Sequence, residues 1–171
     1  MSSELPLIVL LSGPNLGLLG ERQPEIYGTA TLEDHVATAV SEAGRVGFAL
    51  EHRQSDHEGE LVEAVHDARG RAVALVVNAG ALTHYSWSLH DALAAFEGVV
   101  VELHLSNPAA REPWRHTSVV APVADGTIAG FGGLGYRLAV LAVADLVNNP
   151  RVGGSNSTGS GGGGRSSPGS E

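Results

Sequence analysis

An α/β domain, doubly wound around a five-stranded parallel sheet, is the fold class this sequence predicts. The first observation is a set of short apolar runs rich in β-branched residues at Leu7–Leu11, Phe48–His52, Val73–Val77, Val99–Leu105 and Val119–Ala121. The second is the helical periodicity between most of them, which sets the order β-α-β-α-β-α-β-β-α. The third is size: 171 residues, 43% of them hydrophobic, suffice for one core. Right-handed crossovers then leave a flavodoxin-like topology with helices on both faces of the sheet. Residues 1–150 read as that single domain.

Each helix carries its own signals. Thr31-Leu32-Glu33-Asp34 resembles a capping box, opening a helix with Val36, Ala39, Val40 and Ala43 on one face and a stop near Gly44. A second helix is expected from Gly59 to Arg69, with Leu61, Val62 and Val65 inward and Gly70 as its C′ residue. A third spans Ser86 to Phe96 and a fourth Leu134 to Val147. From Arg151 to Glu171 the chain is almost entirely Gly and Ser and has nothing to bury, so residues 151–171 read as a disordered tail.

Composition excludes several functions. A net charge of −9 argues against a nucleic-acid partner, because binding a polyanion needs clustered Lys and Arg. With no cysteine there is no disulfide, thiolate metal site or cysteine nucleophile. The longest apolar run, Ala72 to Val77, is far shorter than the roughly 18 residues a membrane span needs. No secretory signal is readable at the start, so a cytoplasmic location is expected.

In an open parallel sheet, ligands bind at the carboxyl ends of the strands, beside the point where strand order reverses. Three strand ends present polar groups: Ser12, Asn15, Arg22 and Tyr27 after the first, Asn78 to His84 after the third, and Glu102 to Asn107 at the fourth. The loop from Leu11 to Gly28 is long for a compact domain and reads as a flap. Its glycines, Gly13, Gly17 and Gly20, match no dinucleotide fingerprint, and no Gly-Lys-Ser/Thr follows. Glu102 and His104 are two apart on a strand, so they share a face, where a carboxylate can hold an imidazole in one tautomer. A lone strand histidine is more often structural; Glu102 beside it and Ser106 beyond argue for acid–base chemistry. The eight histidines show no zinc-type spacing, and His52, His57 and His66 read as surface or helix positions. Tyr27, with an ordinary pKa of about 10, needs guanidinium neighbours to act as a base, and Arg22 and Arg111 are the candidates.

Several blocks in one order resemble the type II 3-dehydroquinate dehydratases, over about Leu7 to Val147. They are Gly13-Pro14-Asn15-Leu16, Leu18-Leu19-Gly20 with Arg22 and Tyr27-Gly28, Thr31-Leu32-Glu33-Asp34, Gln54 through Leu61, Asn78-Ala79-Gly80-Ala81, Thr83-His84, Asp91-Ala92-Leu93 and Glu102-Leu103-His104-Leu105-Ser106-Asn107. Arg111, Arg115-His116, Ser118 and Gly135-Tyr136 complete the match.

The resemblance implies dehydration of 3-dehydroquinate to 3-dehydroshikimate without metal or organic cofactor, on a flavodoxin-like fold assembled as a homododecamer, a tetramer of trimers. It implies Tyr27 as the phenolate base, with Arg22 and Arg111 holding its pKa down. Asn15, through a water, would stabilise the enolate, and His104, oriented by Glu102, would protonate the departing hydroxyl. Asn78, Ser106 and the Leu105 backbone N–H would bind the carboxylate region of the substrate. Arg115, His84 and Asp91 would grip ring hydroxyls, Asp91 from a neighbouring subunit.

The chain departs from the family pattern at Ser12, where relatives commonly have Asn, and at Gly17, Ala79 and Leu82. None of these removes a proposed catalytic group. Two other functions fit the same residues: a flavodoxin-like binding paralogue with weakened catalysis, and a dehydratase of a related cyclic hydroxy acid.

Overall fold

The computed structural model describes residues 4–21, 26 and 29–150. Five parallel strands form one sheet: β1 (Leu7–Ser12), β2 (Ala49–Gln54), β3 (Ala72–Asn78), β4 (Val99–His104) and β5 (Gly126–Ala129), in the order β2-β1-β3-β4-β5. Among the described residues four α-helices connect or flank them: α1 (Leu32–Arg45), α2 (Glu58–Ala68), α3 (Trp87–Ala94) and α4 (Leu134–Asn148). This is the doubly wound α/β architecture expected from the sequence, and strand order reverses between β1 and β3.

Side chains alternate across a strand, so the sheet divides the core in two. Ile8 and Leu10 of β1, Ala74 and Val76 of β3, and Val101 and Leu103 of β4 pack with Ala39, Ala43, Tyr136, Ala139, Val140 and Val143 of α1 and α4. Val9, Leu11, Leu75, Val77 and Val100 pack on the other side with residues of α2 and α3, among them Leu61, Val65, Leu89 and Leu93. Burying each such aliphatic side chain is worth about 1.5–3 kcal/mol, which is why these strands read as nearly continuous apolar runs.

Both halves of the α1 capping box are present: Thr31 Oγ1 accepts from Asp34 N–H at 3.2 Å, and Asp34 Oδ2 accepts from Thr31 N–H at 2.9 Å. The helix ends at Arg45, close to the expected stop at Gly44, and the turn after it is made by Gly47 at φ +87°. Its buried stripe differs from expectation. Val40 is 46% exposed, while His35 and Glu42 are buried beside Leu32, Ala39 and Ala43. Glu42 can lie there because Arg45 and Arg137 both pair with it, the latter at 3.0 Å. Gly70, at φ +73°, ends α2 as the sequence suggested.

The fifth strand is corrected. It lies at Gly126–Ala129, paired with Val101–His104 of β4, and Val119–Ala121 is not a strand. Val119 and Val120 are buried all the same, Val120 within the α2–α3 layer. They resemble a strand because they are β-branched and buried. Their backbone is held instead by the Thr83 carbonyl, which accepts from Val119 N–H at 2.8 Å, and a short 3₁₀ turn containing Pro122 follows.

Among the described residues no helix is long and apolar enough to cross a membrane.

Candidate active site

The C-terminal ends of β1, β3 and β4 open into one cleft at the point of strand reversal. Two sequence features bring the first two ends together. Gly13 N–H donates to the Asn78 carbonyl at 2.8 Å, and a Cβ on Gly13 would stand 2.3 Å from the Ala79 oxygen, so only glycine permits the approach. The register pairs Ser12 with Asn78.

Asn15 follows in the left-handed region at φ +65° and caps a short 3₁₀ turn, Leu16–Leu18. Asp56, beyond β2, accepts from Asn15 N–H at 2.8 Å and from Gln54 Nε2 at 3.1 Å, which ties this loop to the edge of the sheet. Asparagine tolerates that conformation better than most residues. Tyr27 and Arg22, the base and flap arginine expected from the sequence, lie outside the described residues.

At the end of β4 the expected pair is formed. His104 Nε2 lies 2.9 Å from Glu102 Oε1, and both side chains project to the α2–α3 face of the sheet. Glu102 is fully buried. A buried carboxylate needs donors, and it has four: His104, Thr83 Oγ1, Ser118 Oγ at 2.7 Å and Thr127 Oγ1 at 3.1 Å. Burial pushes the Glu102 carboxyl up, but the hydrogen bonds from His104, Thr83 and Ser118 outweigh it and leave its pKa below the ordinary value. Glu102 is therefore an anion at neutral pH, and an anion can only accept. Neutral His104 then carries its proton on Nε2, which leaves the lone pair on Nδ1.

His104 lines the cleft with Leu105 and Ser106. Asn78, His84, Arg111 and Arg115 line it too, so four separated segments converge on one concavity. Arg111 reaches Ser106 Oγ at 3.4 Å and pairs with Glu112 at 3.5 Å. Arg115 pairs with Glu112 at 2.8 Å and lies 3.9 Å over the Trp114 ring. His84 Nδ1 bonds the Thr117 carbonyl at 2.7 Å, and its ring meets Trp114 edge-on at 5.3 Å. The two arginines give the rim positive charge within a chain of net charge −9. Asp91 stands apart: it is exposed on α3 and does not line this cleft.

Residues 6–144 match the model of the dehydroquinase class II family. The chain belongs to that family. Among its relatives, the 3-dehydroquinate dehydratase of Corynebacterium glutamicum strain R is 52% identical over 139 residues, covering 81% of this chain and 96% of the relative. The 3-dehydroquinate dehydratase 2 of Pseudomonas aeruginosa is 51% identical, covering 81% and 93%. The crystal structure of the type II dehydroquinase from Propionibacterium acnes superposes with a TM-score of 0.79 at 41% identity, covering 84% of this chain and 99% of that one.

Within this class II dehydroquinase chain, some site residues escaped sequence reasoning. Thr83, Ser118 and Thr127 hold Glu102 but lie 19, 16 and 25 residues from it, so no local pattern announces them. The available signal was the carboxylate itself, since a glutamate inside a buried strand obliges donors to be nearby. His52, expected at a surface or helix position, is half-buried on β2, and its Nε2 lies 3.0 Å from Ser12 Oγ. Among the described residues no three His, Asp or Glu side chains are grouped as a metal would require.

Proposed function

We propose that this chain removes water from 3-dehydroquinate to give 3-dehydroshikimate, with Tyr27 as base and His104 as acid. The observation that carries the reading is the buried Glu102–His104 pair at the floor of a cleft rimmed by Arg111 and Arg115. Family membership and relatives bearing the dehydratase name support the reaction class.

The chemistry divides between two groups. The Tyr27 phenolate takes the proton α to the ketone, and Asn15, through a water, stabilises the enolate oxygen. The enolate then expels the β-hydroxyl as the C–O bond breaks. Hydroxide is a poor leaving group, so His104 Nδ1–H protonates it and water departs. Glu102 keeps the imidazole in the tautomer that presents Nδ1 and stabilises the imidazolium before transfer. Arg22 and Arg111 hold the Tyr27 phenol in its ionised form; lowering a phenol from about 10 to about 7 requires roughly 4 kcal/mol of preferential stabilisation. Asn78, Ser106 and the Leu105 backbone receive the substrate carboxylate, while His84 and Arg115 engage ring hydroxyls. Asp91, remote from the cleft of its own chain, serves the cleft of a neighbouring subunit in a homododecamer. The exposed Tyr85, Trp87, Trp114 and Phe131 are the apolar surface such an assembly would cover.

The test is direct. Purified protein mixed with 3-dehydroquinate should raise ultraviolet absorbance as the conjugated product forms; folded protein giving no change overturns the reading. Light scattering at twelve chain masses would support the assembly, and a monomer active at full rate would refute the role of Asp91.

A further inference from the structure

A line of polar side chains leads away from the cleft on the face of the sheet opposite to Glu102 and His104. Asn78 ends β3 with its Nδ2–H donating to the Tyr136 hydroxyl at 3.4 Å, while its Oδ1 accepts from Gly80 N–H at 3.4 Å. Tyr136, in the first turn of α4, is 1% exposed, and the Ser12 side chain is the second polar group that acts on its phenol. Ser12, wholly buried, lies 3.0 Å from His52 Nε2 on β2. Ser12 is one of the departures from the family pattern, and the proposed reaction gives it no part.

We propose that His52, Ser12 and Tyr136 are positioning residues that fix which edge of the Asn78 amide faces the substrate. The proposal deepens the reading of the cleft as a dehydroquinate site and rests on it.

Proton counting carries the argument, because each hydroxyl has one proton to give. With His52 neutral and Nε2 accepting, every donor points the same way: Ser12 to His52, Tyr136 to Ser12, Asn78 to Tyr136. Gly80 occupies Asn78 Oδ1, so the second Nδ2 hydrogen is left for an oxygen of the ligand. Protonating His52 places an N–H against Ser12, whose own proton then turns toward Tyr136. The phenol oxygen then accepts from Ser12, and its own proton finds a partner in Asn78 only if the amide presents its oxygen, which sets Nδ2–H against Gly80 N–H. A cationic His52 therefore disfavours the substrate-ready edge of Asn78. Burial pushes the His52 imidazole below its ordinary value, opposed by Glu33 of α1, the charge that acts on it. From β1 it meets Ser12, and through Ser12 it reaches Tyr136 of α4, on which His35 of α1 stacks at 5.0 Å.

The experiment compares wild type with Ser12→Ala, His52→Phe and Tyr136→Phe. KM and kcat for 3-dehydroquinate are measured from pH 5.5 to 8, with calorimetric binding of 3-dehydroshikimate at pH 5.5 and 7.5. Wild-type KM and product Kd should rise about tenfold toward the acid end, the effect of losing one hydrogen bond. Ser12→Ala and His52→Phe should remove most of that rise. Tyr136→Phe should raise KM more than it lowers kcat. One shared pH profile for wild type, Ser12→Ala and His52→Phe overturns the relay and leaves the reaction untouched. PH-linked product binding without wild-type turnover overturns the reaction and upholds the relay. Neither turnover nor product binding by folded wild type overturns both.

Discussion

Glu102 accepts a hydrogen bond from His104 at 2.9 Å while removed from solvent, with three hydroxyls converging on the same carboxylate. Glu102→Gln keeps the shape but turns an NH₂ group toward those donors. Turnover should fall about 10²-fold or more as the imidazole loses its fixed tautomer. Stability should drop by about 3 kcal/mol because buried donors are left facing a donor. Steady-state kinetics and urea denaturation of the same variant measure both.

Tyr27→Phe removes the proposed base and nothing else. Its kcat should fall by about 10³-fold, within the range for losing an acid–base group, with the assembly unchanged on light scattering. A variant that keeps full activity would require another base. His104→Ala should be comparably inactive.

His35 weakens the fold on the acid side. It is buried on the Tyr136 ring, its Nε2 has no hydrogen-bond partner among the described residues, and burial pushes its pKa below the ordinary 6.5. The unfolded chain therefore binds the proton first, and stability should decline as pH falls through 6.5. His35→Phe keeps the stacked ring, removes the orphaned nitrogen, and should flatten that slope in urea midpoints taken from pH 5 to 8. It should also stabilise the fold at neutral pH by about 1 kcal/mol.

On the alkaline side the group is Tyr136. Burial raises its phenol from 10.0 to about 12, against the opposing effect of the Asn78 and Ser12 side chains. The folded form keeps its proton where the unfolded chain has lost it, so stability is full below 10 and is lost as pH rises toward about 12. Tyr136→Phe should abolish this component in unfolding curves above pH 9.

Gly13→Ala forces a methyl against the Ala79 carbonyl at 2.3 Å. The ends of β1 and β3 must separate, at a cost of about 1–3 kcal/mol, with Asn78 displaced from the cleft. Thermal unfolding should register the first effect and KM the second.

Much of this molecule is legible in its sequence because periodicity and position along a strand are local. The two-residue spacing of Glu102 and His104 already places them on one face, and Asn78 and Ser106 fall at strand ends where such sheets bind ligands. Less local features are lost. Val119 and Val120 carry a strand's composition but are buried by a loop docked on Thr83, while the true edge strand, Gly126-Thr127-Ile128-Ala129, has little apolar character. Helix α1 hides a similar ambiguity: Val40 and Glu42 exchange their expected places because Arg45 and Arg137 neutralise the buried carboxylate. The donors to Glu102 are a product of tertiary folding, since Thr83 follows β3, Ser118 lies between β4 and β5, and Thr127 stands on β5.

Register in β3 has a consequence for how activity appears during folding. Leu75 and Val77 serve one layer while Val76 serves the other, and the same alignment sets Asn78 beside Ser12 and Val77 beside Glu102. A slip of a single residue would invert the central strand, sending its apolar side chains to the wrong layers and its terminal amide out of the pocket at once. Chains with a slipped sheet thus have no route to partial turnover: catalytic competence requires native strand pairing first, and recovery of enzymatic rate should never run ahead of it.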